Sequence, residues 1–151
     1  MMDMSQQDAR RRAMSAFAAA PLALLRDAWT PICGPLGIAP VRGPETGLVM
    51  LRGRVGGGGA PFNLGEASVT RASVRLSSGE IGHAVVLGRD ADKAGLAAAF
   101  DAAWQNADFR RRIEDEVVTP ALALEAEADR RRAGETEATR VDFFTMVRGE
   151  D

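Results

Sequence analysis

The chain predicts an α+β fold in which helices precede and follow an antiparallel β-meander of three to four strands, with an extended C-terminal tail. Three observations carry that reading. Apolar residues recur at helical spacing near both ends, period-two alternation holds the middle, and the gaps between the middle runs are too short for crossover helices. A chain of 151 residues is long enough for a single domain that buries about 68–70% of its unfolded surface.

The elements follow in order. From Ser5 to Ala19, residues Ala9, Ala13, Phe17 and Ala20 recur near i+4 alongside Met14, the pattern of an amphipathic helix with Ser5 as N-cap. Pro21 ends this helix and opens a second one, Leu22 to Trp29, as a first-turn residue whose missing N–H would be unpaired in any case. Residues 1–30 are thus helical. Over residues 31–45, Pro31, Gly34, Pro35, Gly37, Pro40, Gly43 and Pro44 break regular structure and read as a linker.

Thr46 to Arg54 reads as a strand whose consecutive apolar residues, Leu48 to Leu51, predict a central position covered on both faces. A further edge strand around Val41 is flanked by prolines. After the wide connection Gly56-Gly57-Gly58-Gly59-Ala60-Pro61, Leu64 to Leu76 forms a longer strand. Thr70, Ala72, Val74 and Leu76 fall on one face, and Arg71, Ser73 and Arg75 on a wet one. Ser77-Ser78-Gly79-Glu80 is a hairpin signal, and Ile81 to Leu87 returns as a third strand ended by Gly88. The sheet therefore occupies 46–88. Asp90 or Asp92 caps a helix to about Gln105, whose stripe of Leu96, Phe100, Ala103 and Trp104 is placed to cover the sheet. Charged helical sequence continues from Asp108 to about Ala138, completing a helical region over 90–138, with an interruption at Pro120 and a weak point at Gly134.

Charge excludes several classes. The net charge is −2, and Lys93 is the only lysine among 19 basic residues. The arginine triplets 10–12, 110–112 and 130–132 have acids at helical distance, with Asp8–Arg12, Asp108–Arg112 and Glu127–Arg131 expected as i,i+4 pairs. They read as solvated helix faces rather than a nucleic-acid surface. Cys33 and His83 stand alone in their residue types, so one chain builds neither a disulfide nor a Cys/His zinc site. A Cys33–His83 dyad stays arithmetically open, but Cys33 lies in a turn-rich segment and reads as a small apolar residue. The longest apolar run, Ala16 to Leu25, contains Pro21 and is too short for a bilayer, so a cytoplasmic protein is expected.

Among candidate sites, Gly56, Gly57, Gly58 and Gly59 offer consecutive backbone N–H groups suited to phosphate. Their context lacks the Lys-Ser/Thr and helix of a Walker loop, and Pro61-Phe62-Asn63 leads into another strand, so a hairpin connection is favoured. Glu45 and Glu66 flank strands with nothing to fix their separation, and structural hydrogen bonding is their expected role. Arg71 and Arg89 are placed to face a ligand or partner, and intramolecular ion pairing explains them equally well. No catalytic or metal-ligating residue is singled out. The tail 139–151 is the most informative segment. Val141, Phe143, Phe144, Met146 and Val147 concentrate apolar surface at a terminus, and each large side chain contributes on the order of 1.5–3 kcal/mol when buried. This tail is expected to dock, with Arg140, Asp142 and Arg148 orienting it at the rim of a partner surface.

Three blocks together are more specific than any alone: Pro44-Glu45-Thr46-Gly47-Leu48-Val49-Met50, then Arg52 to Glu66 with Val69-Thr70-Arg71, then Thr139 to Gly149. With the Leu87-Gly88-Arg89-Asp90 junction, they resemble the PhnG family, the G subunits of the bacterial carbon-phosphorus lyase system, over nearly the full chain. The resemblance implies membership of a core complex with H, I and J subunits. With the L subunit added, that complex replaces the adenine of ATP by methylphosphonate to give α-D-ribose 1-methylphosphonate 5-triphosphate. It also implies that carbon-phosphorus cleavage belongs to the radical J subunit, that ATP is a substrate of the assembly, and that this chain carries no cofactor. A single cysteine cannot ligate an iron-sulfur cluster. The expected role is therefore a non-catalytic or co-catalytic subunit of a transferase. The alternative is a nucleotide-binding catalytic subunit using the glycine run, Arg71 and Arg89.

Overall fold

Alternation in the middle of the chain produces a three-stranded antiparallel sheet in the order β1-β2-β3, built from β1 (Ile38–Gly53), β2 (Phe62–Leu76) and β3 (Ile81–Leu87). The structure, a computed structural model, describes residues 4–54 and 59–139. Around the sheet lie α1 (Met4–Ala19), α2 (Leu22–Cys33), α3 (Ala91–Trp104), α4 (Ala107–Ile113), a π-helical turn (Glu114–Val118) and α5 (Thr119–Ala138). The α+β class and the meander are as expected from the sequence.

Several local expectations change. Because α1 starts at Met4, Ser5 lies within its first turn rather than capping it. Helix α2 runs past Trp29 and through Pro31, because Trp29, Ile32 and Cys33 are buried and their packing outweighs one lost backbone donor. Gly34 then ends the helix with φ 50°, its N–H donating to the Thr30 carbonyl at 2.9 Å. Residues 38–45, read as linker, belong to β1, and the segment around Val41 is part of that same strand. Pairing shifts between Pro40 and Arg42 and between Arg42 and Glu45 let the strand absorb its prolines.

The larger correction concerns position in the sheet. The strand expected to be central is an edge strand, with only β2 beside it among the described residues. Proline is tolerated at an edge, where one side of the backbone has no ladder partner.

Helix α3 fills the core. It presses one side onto β2 and β3 and packs α1 and α2 on the other, so most of its residues are buried and alanine dominates. Phe100 stacks on Phe17 at 5.7 Å and meets Trp29 edge-on at 5.2 Å. Gly82 on β3 exists for this contact: a Cβ there would collide with the Ala98 carbonyl and the Ala102 backbone. Asp90 is the N-cap of α3, its carboxylate accepting from Lys93 N–H at 2.9 Å. Thr70 ties the turn before it, donating to the Gly88 carbonyl at 2.7 Å and accepting from Asp90 N–H at 3.2 Å.

Two polar anchors hold the helical layer. Asp101, 1% exposed, accepts from Arg10 Nε and Nη2 at 2.8 and 2.9 Å and from the His83 backbone N–H at 2.8 Å, linking α1, α3 and β3. Trp104 donates to Glu114 at 2.7 Å, Arg12 reaches Glu114 at 3.0 Å, and Arg110 lies 4.5 Å above the indole. Arg12 therefore pairs across helices rather than with Asp8. Likewise Arg112 meets Glu116 at 2.8 Å instead of Asp108, and Arg131 lies 3.9 Å from Glu135 instead of meeting Glu127. Pro120 does not break the path, because it occupies the first turn of α5, where no intrahelical donor is needed. Gly134 lies inside α5, which is mostly exposed beyond Ala121. No helix among the described residues is long and apolar enough to cross a membrane.

Candidate functional site

Strands β1 and β2 are more than twice as long as β3, which pairs only with Val69 to Arg75. The ladder from Leu48–Ser68 to Gly53–Phe62 consequently projects beyond the third strand as a two-stranded arm. Alternation assigns its side chains to two faces. The face continuous with the core carries Leu48, Met50 and Arg52 on β1 and Ser68, Glu66 and Asn63 on β2, because the register shifts between Leu51 and Arg52. Its two large apolar side chains, Leu48 and Met50, are 62% and 58% exposed. Leu64 lies over Gly53, where a Cβ would strike the leucine side chain. On the other face, Val49, Leu51, Phe62 and Leu64 continue toward Val85 and Leu87, all exposed. Contiguous apolar surface on this scale marks an interaction site.

The wet face of the sheet holds a polar cluster. Glu45 sits between Arg42 at 3.4 Å and Arg71 at 3.1 Å. The hydrogen bond and charge of Arg42, followed by the bond from Arg71, hold the Glu45 carboxyl below the usual carboxylate range. Beside them Ser73 Oγ lies 2.8 Å from His83 Nδ1. A shallow concavity of about 240 Å³, lined by Glu45, Val49, Val69, Arg71 and Val85, joins this cluster to the base of the arm.

The candidates of the sequence separate accordingly. Arg71 reaches the wet face but is engaged by Glu45, whereas Arg89 is exposed in the turn between β3 and α3 and makes no ion pair among the described residues. Gly59 is exposed at the foot of β2, and Gly56, Gly57 and Gly58 lie outside the described residues. So do Arg140, Val141, Asp142, Phe143, Phe144, Met146, Val147 and Arg148, the expected partner interface. Glu45 and Glu66 fall on opposite faces of the hairpin, since their partners Arg71 and Met50 do. Cys33 is buried at the C-terminal end of α2, which pushes its thiol up to about 11, while His83 is exposed on the far side of the sheet. The Cys-His dyad is therefore not assembled. Among the described residues no three His, Cys, Asp or Glu side chains gather closely enough to hold a metal ion.

The family described as "Phosphonate metabolism protein PhnG" matches residues 8–149. The chain belongs to the PhnG family. A curated relative, the alpha-D-ribose 1-methylphosphonate 5-triphosphate synthase subunit PhnG of Rhizobium meliloti (strain 1021), is 59% identical over 142 residues, covering 94% of this chain and 90% of the relative. The blocks that suggested the PhnG family in the sequence include most of the arm, from Leu48 through Glu66. Sequence reasoning assigned Leu48 to Leu51 to a central strand, although Pro40 and Pro44 in the same strand signalled an edge.

Proposed function

We propose that this chain is a subunit of an α-D-ribose 1-methylphosphonate 5-triphosphate synthase and contributes an interface to it rather than a self-sufficient reactive centre. The relative that is 59% identical over 94% of the chain is such a subunit, and this observation carries the reading. The projecting arm supports it physically: apolar side chains on both faces of a two-stranded ribbon are stabilised only when another surface encloses them. The neighbours in this reading are the H, I and J subunits of the core complex, with L added for the synthase step, in the cytoplasm. ATP and methylphosphonate are substrates of the assembly, and no cofactor is assigned to this chain. The C-terminal segment, Arg140 to Asp151, is a second docking element.

The test is affinity purification of the full chain from cells grown on a phosphonate as sole phosphorus source. Stable recovery of the partner subunits is expected, with synthase activity in the assembly and none in the isolated chain. Turnover of ATP and methylphosphonate by the isolated chain would overturn the assignment. Deleting Arg140 to Asp151 should weaken recovery, and unchanged assembly would remove the tail from the interface.

A further inference from the structure

We infer that the wet face of the sheet binds a tetrahedral phosphorus oxyanion, a phosphate or phosphonate group of a substrate, between Arg42, Arg71, Ser73 and His83. The inference rests on the synthase-subunit reading for the choice of ligand and on the geometry for the site itself. Pairing aligns Arg42 on β1, Ser73 on β2 and His83 on β3 in one row across the sheet, and Arg71 stands in the next row beside Val85. Strands lie about 4.8 Å apart, so the row gathers its three polar side chains within about 10 Å. Together with Arg71 they line a concavity of about 140 Å³. It is small beside the roughly 300–1,000 Å³ of pockets that enclose a whole drug-sized ligand, and it suits one phosphoryl group.

The chemistry of the lining selects an anion. Two guanidinium groups face one carboxylate, Glu45, which leaves one positive charge in excess. Glu45 engages Arg42 through Nε and Arg71 through Nε and Nη2, and the Arg42 Nη groups and Arg71 Nη1 bond no other group among the described residues. The carboxylate thus holds the two forks side by side and leaves each with donors to spare. Ser73 Oγ and His83 Nδ1, 2.8 Å apart, keep one donor in either tautomer: His83 Nε2–H when the serine donates, the serine O–H when the ring does. Donors therefore converge from three strands in different directions, which suits a tetrahedral group with three oxygens better than a planar carboxylate. Arg71 and Val85 also line the neighbouring concavity beside Val49 and Val69, which gives the remainder of a substrate an apolar surface to lie on.

His83 is the only histidine of the chain, so its imidazole C–H proton resonances report on the site directly. Titrating the isolated full chain at constant pH with inorganic phosphate, methylphosphonate or ATP should shift those resonances saturably in the millimolar range, while chloride at equal ionic strength should not. Arg42→Gln combined with Arg71→Gln should weaken that binding at least about tenfold, Ser73→Ala should weaken it severalfold, and Arg131→Gln on the exposed α5 should leave it unchanged. Arg42 and Arg71 are exposed, so the double variant should keep the wild-type circular dichroism spectrum. In the assembled complex it should raise KM for ATP or for methylphosphonate severalfold with partner recovery unchanged, and the substrate affected shows whether the site holds a phosphate or a phosphonate. Equal shifts with chloride, or an unchanged binding constant in the double variant, overturn the site, as do unchanged KM values for both substrates. Lost partner recovery in the double variant overturns it too, because the arginines would then serve a partner's carboxylates. If wild type recovers its partners and binds no anion, this inference alone falls. If it binds the anion and recovers no partner, the subunit reading falls and the oxyanion site stands without its assigned substrate.

Discussion

The two halves of the β1–β2 hairpin both carry apolar residues yet meet different fates. From Thr70 to Leu76 the core-side residues of β2 are buried beneath α3, with Arg71, Ser73 and Arg75 turned outward. From Phe62 to Glu66 a register shift opposite Leu51 turns Leu64 and Phe62 to the outer face, β3 does not reach them, and both stay in water. A strand's composition thus specifies that its faces need cover without specifying which molecule supplies it. In the covered half the cover is intramolecular and contributes to folding. In the arm, the described residues supply no such cover.

Substitutions should separate the halves sharply. The largest effect is expected for Gly82→Ala, which drives a methyl group into the backbone of α3 and should destabilise the fold by at least about 3 kcal/mol, read by urea unfolding of the isolated chain. A loss below about 1 kcal/mol would mean that the β3–α3 contact is looser than the geometry shows. Next comes Arg10→Ala, which leaves Asp101 buried with only the His83 N–H. Because Arg10 is itself partly exposed, a cost of about 2–3 kcal/mol is expected, below the full range for a broken buried pair.

Cys33 gives a pH test of the same core. Burial raises its folded pKa to about 11, whereas an unfolded thiol ionises at about 8.5. The contribution is therefore fully present below the unfolded pKa and erodes as pH rises through it toward 11. The chain has no tyrosine and one lysine, so few other side chains titrate in that window. A stability loss of about 1–2 kcal/mol by pH 10 is expected relative to pH 8, absent in Cys33→Ala. Equal pH profiles for the two proteins would refute it. The smallest effect belongs to the arm: Met50→Ser with Leu64→Ser should change the stability of the isolated chain by no more than about 0.5 kcal/mol, since neither side chain is buried. A larger loss would show that the arm is covered within its own chain.

Helix α3, the meander and the hairpin at Ser77 to Glu80 were legible because their signals are local: an N-capping aspartate, a helical apolar stripe and period-two alternation. The π-helical turn was not, because nothing in Glu114 to Val118 departs from ordinary helical composition. Asp101 left a faint mark, as a single acid among Ala98, Ala99, Phe100, Ala102, Ala103 and Trp104. Its partner Arg10 stands 91 residues away, beyond the reach of any spacing rule. The arginine pairings failed for the same reason. Arg12 finds Glu114 across the α1–π-turn contact, and an interhelical carboxylate already bonded to Trp104 competes well with the exposed Asp8.

The sequence by itself determined which segments are helix and strand, which residues require cover, and which family the chain resembles, because propensity, periodicity and motif spacing are properties of neighbouring residues. Only the tertiary structure decided that β1 is an edge strand, that β3 stops short of the arm, and that a register shift turns Leu64 and Phe62 to the outer face. Those outcomes depend on relative strand lengths and on the place where α3 ends, and burial is a property of the whole packed chain rather than of any stretch of it.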